Sequence, residues 1–180
     1  MIPSRCRQLS AAVVACPKLH DSRHRRETVN ENQFDKWLRR GLGRHSVVTR
    51  RTQPQDGYSL YKPDYTLRRG RSGPVMVIVE FETTPSRKTV LGDLVKAEKF
   101  AEDAPLRLHL LIVVKERSNT TACQLRTHLH PYFHWLKKKR SSAFGVQELL
   151  IISDHGFRNS VSTGLPIGSK GFRGRCLIIR

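Results

Sequence analysis

Short apolar runs alternate with longer stretches of helical periodicity along this chain. Phe34, Trp37 and Leu38 recur at helical spacing within residues 31–38, and Gly41 and Gly43 stop that helix. Residues 45–50 read as a short strand. Residues 58–67 read as a second, interrupted by Pro63, which cannot donate to a ladder. The β-branched run 75–79, bounded by Gly73-Pro74 and Thr83-Thr84-Pro85, reads as a buried third strand. The connection from Arg68 to Pro74 is short and holds Gly70 and Gly73, so the second and third strands form a hairpin. Ser86 caps a helix through Asp103, with Val90, Leu91, Leu94, Val95 and Phe100 on its apolar side, and Pro105 ends it. Residues 106–114 are nearly all apolar, as a strand covered on both faces requires. A second long helix is expected over 119–140, bent near Pro131, and a last core strand over 146–152. The order is αβββαβαβ, an α/β fold with a mixed central sheet flanked by helices, and the crossover at residues 86–105 is expected to be right-handed.

A chain of 180 residues suits one α/β core. The core is expected over 27–154. Residues 1–26 carry one acid, Asp21, against Arg5, Arg7, Lys18, Arg23, Arg25 and Arg26, and read as a flexible basic arm. Such a start also mimics an organelle transit peptide. A secretory signal does not fit, because the apolar stretch 11–15 is too brief. Residues 155–180 read as a basic Gly/Ser-rich tail, a loop through 159–174 with an edge strand added at 176–179. No run approaches the length that spans a bilayer, so no membrane partner is expected. Cys6, Cys16, Cys123 and Cys176 are scattered without metal-ligand spacing, which fits reduced thiols in a cytoplasmic protein.

Charge changes this picture. Lys and Arg number 33 against 15 Asp and Glu, a net charge of +18, which points to a polyanionic partner, nucleic acid first. No acid occurs from Arg117 to Gln147, where Arg126, Lys137, Lys138, Lys139 and Arg140 lie, and none follows Asp154. These five cations are the candidate nucleic-acid contacts; the bland reading of residues 137–140 is a solvated helix end complementing its dipole. His128, His130 and His134 cluster, but Pro131 separates the last two and no carboxylate is near in sequence. A solvated or phosphate-contacting group is the better account of them than a metal site.

The acids concentrate between Glu27 and Glu116. Glu80-Phe81-Glu82 ends the third strand, and alternation along a strand points both carboxylates to one face. Two carboxylates side by side on a core strand repel and resist desolvation, so a positive partner is required, and a hard divalent cation is the natural one. Asp64 follows Pro63 at the break in the preceding strand and would face Glu80 across the hairpin.

Pro63-Asp64, a hairpin, then Glu80-x-Glu82 on a strand resembles the PD-(D/E)XK nuclease superfamily, the restriction-endonuclease-like fold, and element order extends the likeness over about 31–154. The resemblance implies a Mg2+- or Mn2+-dependent endonuclease acting on DNA, with Asp64, Glu80 and the Phe81 carbonyl as metal ligands. Glu82 stands where the superfamily usually has lysine. It could orient or deprotonate the attacking water or bind a second ion, but cannot stabilise negative charge as an ammonium does. Lys88 and Lys96 on the next helix are candidates to restore a cation, Lys88 being nearer in sequence. Glu31 is a further candidate ligand, as an acid on the first helix is in some members. Two other readings stay open: a catalytically inactive nucleic-acid-binding module of the same fold, and an RNA-binding structural protein. A homodimer is compatible with each.

Overall fold

The computed structural model describes residues 31–43, 46–50, 61–116 and 120–180. The basic arm 1–26 and residues 58–60 of the interrupted strand lie outside the described residues, as does the side chain of Glu31. In chain order the elements are α1 (Glu31–Arg40), β1 (Ser46–Arg50), β2 (Tyr65–Arg69), β3 (Val75–Glu82), α2 (Arg87–Asp103), β4 (Leu108–Val114), α3 (Ala122–Arg140), β5 (Val146–Ser153), α4 (Asp154–Ser162), α5 (Lys170–Arg173) and β6 (Leu177–Ile179). The strands form one open mixed sheet in the order β1-β2-β3-β4-β5-β6. Neighbours from β1 to β3 are antiparallel, β3, β4 and β5 are parallel, and β6 returns antiparallel to β5.

Alternation along β3 and β4 divides the interior into two layers. Ile78, Leu110 and Ile112 point to the face covered by α2 and α3, where Val90, Leu94, Phe100, Leu129 and Phe133 pack. Val77, Val79, Phe81, Leu111 and Val113 point to the opposite face, under α1 and α4. The helices α2 and α3 belong to two successive parallel crossovers stepping the same way across the sheet, so lying on one face makes the crossovers of the same hand. On the other face an aromatic group holds the layers together. Phe34 of α1 stacks on Phe81 with ring centres 4.3 Å apart and lies 5.2 Å from Phe157 of α4. Both long helices start at reciprocal caps: Ser86 with Thr89, and Thr121 with Gln124. Pro131 lies inside α3 without ending it.

Three features differ from the sequence expectation. Residues 159–174 are not a loop throughout, because they hold the end of α4 and the whole of α5, capped by Ser153 and Ser169. Burial of Phe157, Val161 and Phe172 drives this segment onto the sheet, and Arg173 and Arg180 pair with the buried Glu148 of β5. Val95, expected on the apolar side of α2, is 50% exposed. Among the described cysteines, Cys176 is a free thiol that burial pushes up to about 12, while Cys123 is disulfide-bonded, so the expectation of reduced thiols holds for Cys176 alone. Among the described residues no helix is long and apolar enough to cross a membrane.

A buried carboxylate fixes α2 against the sheet. Glu98, 3% exposed, accepts the backbone N–H groups of Gly145 and Val146 at 2.9–3.1 Å and meets Arg140 Nε at 3.2 Å. Gly145 permits the approach: a Cβ there would stand 2.3 Å from that of Ala101. Removing the carboxylate strands two buried donors and leaves Arg140 with Glu102 alone. Glu98→Ala should therefore lower stability by about 3 kcal/mol, read as a shift in the urea midpoint, and Glu98→Gln by clearly less.

Candidate active site

The register of the β2–β3 hairpin brings the sequence-predicted acids together. Tyr65 pairs with Val79, which sets Asp64 opposite Glu80 one position further on. The Asp64 N–H donates to Glu80 Oε2 at 3.3 Å, and the Phe81 N–H donates to Asp64 Oδ2 at 3.0 Å. Proline at position 63 leaves the chain outside the ladder here, so that residues 61–64 carry no strand structure and Asp64 can turn toward β3. With Phe81 packed under α1, Glu80 and Glu82 share the α2 face with Ile78. The group lies at the carboxyl ends of the parallel strands, the edge where open α/β sheets place ligands.

Three further residues complete the acid cluster: Tyr61 and Asp93, which the sequence did not point to, and Lys96, one of the two helix cations it offered. Tyr61 donates its hydroxyl to Glu80 Oε1 in a short hydrogen bond, and its ring packs edge-on against Phe100. Asp93 of α2 is 5% exposed, interacts with Glu82, and has an Oδ2 that is buried without a hydrogen-bond partner among the described residues. Lys96 stands 3.6 Å from Asp93 Oδ1, with its ammonium 5.9 Å from the centre of the Tyr61 ring. Lys88, the cation favoured from sequence, is exposed on the first turn of α2 and makes no ion pair among the described residues. Lys96 is therefore the helix cation that reaches the carboxylates. Spacing along α2 offered a signal for Asp93, which stands three before the candidate Lys96, but nothing in sequence tied it to Glu82.

Crowding raises the acids. Burial is the main cause of the Glu80 carboxyl rising to about 8, opposed by the Tyr61 hydroxyl and reinforced by Asp64 and Asp93. Burial also lifts Glu82 to about 7, with the Asp93 charge adding to it, and raises Asp93 as well. The Tyr61 phenol is held far above its usual range, first by burial and then by Glu80, and so remains a donor. All the donors at the cluster are oxygens, a set that suits a hard divalent ion. As arranged, Glu80 is engaged by Tyr61 and Asp64, and no group of three acids, histidines or cysteines among the described residues has metal-holding geometry.

The predicted nucleic-acid contacts lie elsewhere. Helix α3 runs back from the carboxyl end of β4 to the start of β5, so Lys137, Lys138 and Lys139 sit at the end of the sheet opposite the acids. These three lysines are exposed. Arg140 is committed to Glu98 and Glu102, and Arg126 Nε donates to the Ile178 carbonyl at 3.5 Å. A shallow cavity of about 450 Å3 beside α1, lined by Asn32, Gln33, Lys36, Trp37 and Arg40, holds no acid. It belongs to the helix on the other face of the sheet. Comparison with protein-family models, with curated proteins and with solved structures finds no match to this chain.

Glu80 and Glu82 titrate higher in the folded chain than in an unfolded one, so the folded state binds the extra protons. The stability this contributes is full below the ordinary carboxylate range and is lost as pH rises through about 7 to 8. Metal-free protein should thus melt lower at pH 8 than at pH 5.5. Glu80→Gln keeps its one acceptor for the Asp64 N–H and turns its NH2 to the Tyr61 oxygen, but cannot ionise, and should flatten that slope. A thermal-denaturation series in EDTA on both proteins checks it; identical slopes would count against the buried, crowded state of Glu80.

Proposed function

We propose that this chain is a metal-dependent nuclease, a hydrolase of DNA phosphodiester bonds on a restriction-endonuclease-like core, with Asp64 and Glu80 as ligands of Mg2+ or Mn2+. The observation that carries this reading is the convergence of Asp64, Glu80, Glu82 and Asp93 on one strand edge, with Lys96 as the cation beside them. The element order from α1 to β5 and the mixed sheet with β3 inside it support the fold assignment. The net charge of +18 supports a nucleic-acid substrate.

The bound ion would supply polarisation of the scissile phosphate and a more acidic water. Asp64 and Glu80 would hold it, together with the Phe81 carbonyl. Tyr61 orients the Glu80 carboxyl through its hydroxyl. Glu82, with a carboxyl near 7, is suited to take a proton from the attacking water at neutral pH. Asp93 steadies Glu82, and the Lys96 ammonium provides the positive charge that lysine usually provides at the Glu82 position.

A second reading, the catalytically inactive nucleic-acid-binding module, is favoured by the engagement of Glu80 with Tyr61 and Asp64, which leaves no ready-made trio of ligands among the described residues. Metal titration separates the two. Binding of Mn2+ or Mg2+ to the folded chain should raise its melting temperature in proportion to the logarithm of ligand concentration. In plasmid nicking with Mg2+ or Mn2+, Asp64→Ala and Glu80→Ala should each abolish activity. Lys96→Ala should slow cleavage by about tenfold to a hundredfold, while Lys88→Ala stays near wild type. Unchanged nicking in either acid variant sinks the site, and a metal-insensitive melting temperature favours the inactive module.

A further inference from the structure

The large apolar side chains left exposed among the described residues are Val95, Tyr132 and Trp135, at 50%, 41% and 57%. They are not scattered. On α3, His128, Tyr132, Trp135 and Lys139 follow at spacings of four, three and four and form one outer stripe, with the His128 and Tyr132 rings 5.3 Å apart. On α2, Leu91, Val95, Glu98 and Glu102 form the stripe that faces α3, because Arg140 of α3 pairs with both glutamates. The two helices run parallel, each starting from the carboxyl end of a parallel strand. Trp135 lies five positions before Arg140 and Val95 three before Glu98, so both stand at one level of the shared groove. Helix α3 contains no acid, its last turn carries Lys137, Lys138 and Lys139 in solvent, and the nearest acids of α2, Glu98 and Glu102, are paired with Arg140 and Lys99.

We propose that this outer face of α3, with the adjoining stripe of α2, is a stacking platform for the unpaired bases of a single-stranded nucleic acid. Trp135 and Tyr132 offer flat rings to bases, which any sequence can stack on, and the lysines of the last turn meet the phosphates. A duplex fits worse, because its base faces are occupied by one another and its outer surface is charged. The inference rests on the polyanion part of the nuclease reading and not on hydrolysis. Both helices begin beside the strand ends that carry the acids, so a strand lying along their groove is directed to that edge.

The test is fluorescence anisotropy with a labelled oligothymidylate and with a duplex of equal length, both in EDTA so that cleavage does not enter. Trp135→Ala should weaken single-strand binding about tenfold and leave duplex binding within about twofold, with Tyr132→Ala acting the same way and Trp135→Phe keeping most of the affinity. The chain has two tryptophans and Trp37 is buried, so quenching on oligothymidylate binding should vanish in Trp135→Phe. These side chains are exposed, so loss of fold is not at issue, and circular dichroism confirms it. Single-strand affinity unchanged in both alanine variants, equal losses on both nucleic acids, or loss of self-association alone would each overturn the platform. Nicking by the wild type would still stand in those cases. A wild type that binds neither nucleic acid would instead remove the polyanion reading itself.

Discussion

The side-chain alternation of β3, pinned by one ring, governs both faces of this molecule. Phe81 is stacked on Phe34 beneath α1, and a strand so anchored cannot slip by one residue without throwing every side chain to the wrong layer. Glu80 and Glu82 are thereby committed to the α2 face, one of them almost fully buried. Carboxylates are tolerated there because Glu80 meets Tyr61 and the Asp64 N–H, Asp93 meets Lys96 and the Glu82 carboxyl, and Glu82 is raised toward its protonated form. The cluster is thus a consequence of core packing on the far side of the sheet.

Much of the fold was legible because local signals and burial agree. Ser86 marks the start of α2, and the β-branched run of β3 and the apolar run of β4 have the length of covered strands. Residues 159–174 misled because Gly, Ser and Arg dominate their composition, while the few buried rings that fold them, Phe157 and Phe172, show no long periodicity. At the site, Asp64, Glu80 and Glu82 could be found because hairpin register is a short-range property. Asp93 could not be tied to them, and Lys96 could not be preferred to Lys88, since their approach depends on how α2 packs after a crossover, which no local pattern encodes. Tyr61 was hidden for a similar reason: it lies in an irregular segment, and only packing against Phe100 turns its hydroxyl to Glu80.

Charge is distributed by polarity of the chain as well as by composition. Parallel strands joined by helices place every strand end with its following helix start on one edge, and every helix end with the next strand start on the other. The acids fall at the first edge and the lysines of α3 at the second. Adjacency in composition is therefore not adjacency in space, and the basic run of residues 137–139 is separated from the acids by the length of α2.

The clasp between Glu98 and the entry to β5 sets the angular phase of α2. A helix is a stiff rod: holding one point of its circumference fixes the azimuth of all the others. Asp93 and Lys96 are thus indexed against the ends of β2 and β3 by a contact that Glu98, five and two residues further along the helix, makes with the entry to β5. Twisting the rod to free Glu98 would sweep both side chains aside together. The alignment of the acid cluster is in this sense a torsional property, dialled by a carboxylate, an arginine and a glycine that never meet it.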